Sequence, residues 1–169
     1  MLAVLLMLLM PPVARSDSVE EYTAKAALTF NFARYTDWPE SAIAASPDAL
    51  RVCVLGDDSL ARSFQGISGR RIGERRIKVN VLHSRDKPGS CDLIFINSRD
   101  RNKIALLFSY IRNLPILTIG EIPDFADYGG IINLYRSDDK IRFEVNLAAA
   151  RQANLVISSR LLRLARVIE

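Results

Sequence analysis

Leu50-Arg51-Val52-Cys53-Val54-Leu55, followed by Gly56-Asp57-Asp58, reads as a short apolar strand stopped by a glycine and two acids. Asp57 or Asp58 is placed to cap a following helix, Ser59 to Phe64, by accepting from its first free N–H groups. Asp92-Leu93-Ile94-Phe95-Ile96 is a near-continuous apolar run, the pattern of a strand buried on both faces. Between these runs, Gly66, Gly69 and Gly73 mark turns ahead of a strand from Arg76 to Leu82, and Pro88-Gly89 breaks the chain again. A helix from Asp100 to Arg112 and a strand from Pro115 to Ile119 follow. Strands alternating with helices predict an α/β fold whose sheet is mixed but mainly parallel and flanked by helices.

Outward from this centre the pattern changes. Toward the C-terminus, Ile131 to Tyr135 and Lys140 to Val145 flank Arg136 to Asp139 as an antiparallel hairpin, after a loop ending in Gly129-Gly130. Asn146 is placed to cap a short helix through Arg151. Ser158 or Ser159 opens a terminal helix to Ile168, with Leu161, Leu164, Ala165 and Ile168 on one side and Arg160, Arg163 and Arg166 on another. Toward the N-terminus, Ser18 and Glu21 form a capping-box pattern. The helix they open carries Tyr22, Ala26, Phe30 and Ala33 at helical spacing and stops at Trp38, because Pro39 disfavours the α conformation in the residue before it. Ala42 to Asp48 reads as a loop. No repeat or linker interrupts the chain, so one domain is expected, over residues 17–169.

Composition sets the class. With 169 residues, 49% of them hydrophobic and 25% charged, the chain is sized for a single core. Its 23 basic and 19 acidic residues are mostly intermixed, which argues against nucleic acid, whose readers gather positive charge on one face. Leu2 to Met10 is an apolar run too short to cross a bilayer core, which takes about 20 residues. Pro11-Pro12 and Ala14-Arg15-Ser16 then supply small residues for a cleavage site before Asp17. Residues 1–16 therefore read as a signal peptide, with no cysteine for a lipid anchor. The missing positive n-region points to a start a few residues upstream. An exported chain with two cysteines, Cys53 and Cys91, is expected to pair them in an oxidising compartment; two buried free thiols are the alternative.

Chemistry is sparse. His83 is the one histidine, at the polar end of a strand, and no G-x-S-x-G elbow accompanies it. Two distant cysteines and one histidine do not make a zinc site of the usual spacing. The G-x-G-x-x-G fingerprint is absent, and two acids after Gly56 would repel a phosphate there. No catalytic residue, metal or cofactor is therefore expected. Arg70, Arg71, Arg75, Arg76 and Lys78 form the densest basic stretch, interrupted by Glu74 and without aromatic interleaving. It reads first as a solvated strand edge and second as a contact for an acidic partner surface. Tyr22, Phe30, Phe32, Tyr35 and Trp38 load the first helix with aromatics, which anchor interfaces when exposed. By residue type, Trp38, Arg160, Leu161 and Arg163 are the candidate partner-binding residues.

Glu21-Tyr22-x-x-Lys25-Ala26-Ala27, Asn31-Phe32-Ala33 and Thr36-Asp37-Trp38-Pro39 resemble the opening of the YfiR-like family of periplasmic regulators. The likeness continues through residues 50–57, Cys91 to Ile96 and Leu117-Thr118-Ile119. It is strongest in Gly129-Gly130-Ile131-Ile132-Asn133, Arg142-Phe143-Glu144-Val145-Asn146 and Ser158-Ser159-x-Leu161-Leu162. The resemblance implies a non-enzymatic periplasmic homodimer. Such a protein binds the periplasmic sensor domain of an inner-membrane diguanylate cyclase and holds it inactive, until an outer-membrane lipoprotein sequesters the repressor, raising cyclic-di-GMP and promoting biofilm. By this likeness Cys53 and Cys91 match a disulfide pair, while a second pair found in some members has no counterpart here. The other reading of the residues is a periplasmic small-molecule sensor or carrier, using the crevice after Leu55 and Ile96.

Overall fold

In chain order the elements are α1 (Ser16–Arg34), β1 (Thr36–Asp37), α2 (Glu40–Ala45), β2 (Ala49–Leu55), α3 (Asp58–Phe64), β3 (Arg71–Ile72), β4 (Arg75–Val81), β5 (Leu93–Ile96), α4 (Arg101–Ile111), β6 (Leu117–Gly120), β7 (Ile132–Ser137), β8 (Lys140–Asn146), α5 (Leu147–Gln152), β9 (Val156–Ile157), α6 (Ser159–Leu162) and β10 (Arg166–Ile168). This computed structural model describes residues 16–83 and 86–169. The expected signal peptide, residues 1–16, lies outside them except for Ser16.

Eight strands form one sheet in the order β10-β8-β7-β6-β5-β2-β4-β3. Pairing is parallel except at the β7–β8 hairpin and the β3–β4 edge. The fold is α/β, as the apolar runs require: all four residues of β5 and of β6 are buried. One face of the sheet packs on α1, α3 and α5 through residues such as Phe30, Phe32, Leu60, Phe64 and Ala150. The other face is covered by α4 through Ile104, Leu107, Phe108 and Ile111, over a smaller core.

Local signals act as expected at the caps Asp57 and Asn146, and Asp100 adds a third cap. The Asp57 side chain accepts from Leu60 N, Asp100 from Asn102 N and Lys103 N, and Asn146 from Ala149 N. Asp138 and Asp139 both take positive φ between Ser137 and Lys140, the two-residue loop whose twist suits a hairpin. Phe125, 1% exposed, lies where a Cβ on either Gly120 or Gly130 would strike its ring, so both glycines are required by its packing.

Three expectations need correction, and at the end of α1 and in the terminal helix it is strand pairing that overrides the local pattern. Ser18 lies inside α1 rather than capping it, and α1 ends at Arg34, not Trp38. Thr36–Asp37 instead pairs antiparallel with Val156–Ile157, and Ser158 N donates to Tyr35 O. The loop expected over Ala42 to Asp48 instead begins inside α2, with Ala42 buried. The terminal helix stops after four residues, at Leu162. Arg166–Ile168 extends in parallel along β8, whose open edge supplies backbone partners, and Leu164 is left 77% exposed.

Candidate functional site

The order β6-β5-β2-β4 reverses direction between β2 and β5: from β2 the chain moves to β4 on one side, then returns to β5 on the other. Ligands of open α/β sheets bind beyond the carboxyl ends of the strands at such a reversal. A crevice of about 930 Å³ lies there. Asp57 enters it after β2, Asn97, Ser98 and Arg99 after β5, and Glu121 after β6, while α1 contributes Glu21, Tyr22 and Lys25. It is the crevice expected from the strand pattern, after Leu55 and Ile96.

Lys25 closes one wall. It is 3% exposed, and its Nζ lies 2.6 Å from Glu21 Oε1 and 2.5 Å from Glu121 Oε2. A buried ammonium is tolerable only with such partners. Burial, the largest influence, would lower the Lys25 pKa, but hydrogen bonds to Glu121 and Glu21 outweigh it and leave the value raised. The hydrogen bond from Lys25 holds the Glu21 carboxyl below its usual range, against burial. Glu21 also meets Arg136 at 3.2 Å. Across the crevice Tyr22 Oη donates to Asp57 Oδ2 at 3.1 Å. Burial and then that acidic neighbour raise the Tyr22 pKa, while the Leu60 N–H chiefly lowers that of Asp57. Asp57 thus serves both cap and crevice. The sequence reading passed over Lys25 and Glu121; the four-residue Glu21–Lys25 spacing was the available signal.

A second polar cluster sits at the opposite ends of the strands. Asp92, 2% exposed, accepts from Arg51 N, Nε and Nη2 at 2.7–3.0 Å and lies 2.9 Å from Arg75 Nη2. Its backbone oxygen accepts from Trp38 Nε1 at 3.2 Å. The bond to Asp92 raises the Arg51 pKa further. Beside it Cys53 and Cys91 are bridged, with Cα atoms 5.9 Å apart, which resolves the alternative of free thiols.

The expected partner-binding residues divide. Trp38 is 8% exposed and Leu161 4% exposed, both within the larger core. Their large apolar surface is spent on packing, which corrects the expectation that they stand free as anchors. Arg160 and Arg163 are exposed on either side of Leu161. His83 is exposed, and its backbone N–H, not its ring, donates to Asp86 at 2.6 Å. The basic stretch splits by the alternation of β4: Arg75 is buried, whereas Arg76 and Lys78 are exposed. Among the described residues no cluster of His, Cys, Asp and Glu could hold a metal ion, and no helix is long and apolar enough to cross a membrane.

The YfiR/HmsC-like family model matches residues 22–166. The chain belongs to the YfiR/HmsC-like family. That match spans the disulfide, the Asp92 cluster and all of the Lys25 cluster but Glu21, as well as every strand of the sheet except the last residues of β10. No curated protein matches the chain. Among solved structures, it is similar to the crystal structure of a conserved domain protein from Vibrio cholerae O1 biovar eltor, at 12% identity and a TM-score of 0.48. The alignment covers 77% of this YfiR/HmsC-like chain and 58% of that one, so the chain spans less than two thirds of its length.

Proposed function

We propose that this chain is a non-enzymatic regulator of the periplasm that binds the periplasmic sensor domain of an inner-membrane diguanylate cyclase and represses it. The observation that carries the reading is the family match across residues 22–166. The buried Cys53–Cys91 bridge supports an oxidising compartment, reached through cleavage of residues 1–16. In this reading the repressor acts as a homodimer, and an outer-membrane lipoprotein releases the cyclase by sequestering it. Arg160 and Arg163 are proposed contacts for a partner. Deleting the gene raises cyclic-di-GMP and biofilm mass when the cyclase is expressed; an unchanged cyclic-di-GMP level would sink the assignment.

The crevice favours a second, compatible reading, in which a small periplasmic solute binds beyond β2 and β5 and tunes repression. A bound solute favours the folded state, by about 2.7 kcal/mol at one hundred times its dissociation constant. Thermal unfolding against a metabolite panel tests this. A panel in which nothing shifts the midpoint removes the reading.

A further inference from the structure

The strand registers place Arg71 opposite Arg76 across the antiparallel β3–β4 pair, and Arg51 beside Lys78 across the parallel β2–β4 pair. On β4 the side chains alternate, so Arg76, Lys78 and Asn80 point away from the larger core that takes Ile77 and Val79. Arg51 and Cys53 lie on that same outward face, because they are in register with Lys78 and Asn80. The three strands therefore present Arg51, Arg71, Arg76 and Lys78 together. Like charges directly opposite one another in a sheet are destabilising, and a fold that keeps them forgoes stability that a single acidic residue would restore.

Neighbouring acids pair with two of these four cations, Arg51 and Arg71. Asp92 is committed to Arg51 and Arg75, and Glu74, 95% exposed, meets Arg71 alone, at 3.2 Å. Among the described residues Arg76 and Lys78 make no ion pair; a guanidinium nitrogen of Arg76 reaches only Gly69 O, at 3.4 Å. The covering helix of this side, α4, packs over the core around Ile94, Ile104 and Phe108 and leaves Arg76, Lys78 and Asn80 exposed.

We propose that this basic sheet face is the surface on which the repressor receives its partner, and that it takes an acidic extended segment of the cyclase's periplasmic domain. The inference rests on the repressor reading above and names the surface for it. Charge complementarity selects the occupant. The rise of about 3.3 Å per residue in a strand spaces Arg76 and Lys78 as alternate carboxylates of an extended chain are spaced. Such a contact acts through electrostatic complementarity and is sensitive to salt.

The test is binding of the full mature chain to the purified periplasmic domain of the cyclase, at low and at raised salt, with Arg76→Glu/Lys78→Glu as the variant. Lys140→Glu/Arg151→Glu serves as a control that changes net charge equally elsewhere. Because Arg76→Glu sets an acid opposite Arg71, the variant should melt no lower than wild type while its affinity falls tenfold or more. The control should bind as wild type does, and salt should weaken wild type far more than the variant. Wild-type affinity retained in Arg76→Glu/Lys78→Glu overturns the face and leaves the repressor reading standing. If wild type does not bind the domain, the repressor reading falls, and phosphatidylglycerol vesicles become the second probe. Vesicle binding lost in the variant would assign the face to a membrane surface, and no vesicle binding would make it a solvated edge; either overturns the proposal.

Discussion

Lys25 places a charge where almost no water reaches it, between two carboxylates that each keep about a quarter of their side-chain surface exposed. Removing one member of a buried ion pair typically costs about 3–5 kcal/mol because the partner is left uncompensated. Here the carboxylates retain some water, so Lys25→Met should cost about 2 kcal/mol, read from urea unfolding. Adding Glu121→Gln to it should recover part of the loss. The pH dependence follows from the directions of the shifts. Glu21 and Asp57 titrate lower in the folded chain than their ordinary values of 4.5 and 3.8. Their contribution is therefore complete above those values and lost as pH falls through the lower folded ones. Lys25 is shifted upward from 10.5, so its contribution persists below that pH and is lost as pH rises through its folded value. The thermal midpoint should decline on acidification below about pH 4.5, and Glu21→Gln should flatten that decline. A midpoint independent of pH between 3 and 6 would contradict the triad's role.

Among the elements, those whose information is local were legible. The apolar runs of β2 and β5, the caps Asp57 and Asn146, and the hairpin around Asp138-Asp139 each carry their signal within a few residues. Residues 163–168 do not. Leu164, Ala165 and Ile168 fit the helical period of Leu161, but the vacant edge of β8 lies about twenty residues away in sequence and decides for a strand. Trp38 was misread for a related reason: an aromatic's residue type does not say whether it faces a partner or Asp92 O. The bridge belongs to this scale too, since it ties the middle of β2 to the approach of β5 across a separation of 38 residues. In the chain-entropy view, a loop of that size is worth about 4 kcal/mol. Cys53→Ala/Cys91→Ala should lower stability by about that much in denaturant titration. An unchanged transition midpoint would mean that the two strands are already fully held by their pairing.

For the whole molecule, the position of the crevice followed from strand order alone, whereas its polar wall did not. Glu21, Lys25 and Glu121 come together from α1 and the end of β6 only once the chain is folded. The basic face has the same character. A stretch of five cations was visible, but the alternation that buries Arg75 and exposes Arg76 and Lys78 depends on which face of the sheet α1 and α3 cover. The two faces are unequal, and the bridge lies in the smaller core, with Ile94 of β5 and Leu107 and Ile111 of α4. Local stability follows buried contact, so amides of α4 should exchange with deuterium sooner than those of β2 and β5. Losing the bridge should widen that difference. On the periplasmic reading proposed above, the cysteines stay unpaired in the reducing cytoplasm, and this layer should then be the first to open. Arg99, Arg101 and Lys103 at the start of α4 then become sites for a protease that cuts after basic residues. On that reading oxidation in the periplasm closes them, and the bridge would make resistance to degradation a property the chain acquires only in the compartment where it acts.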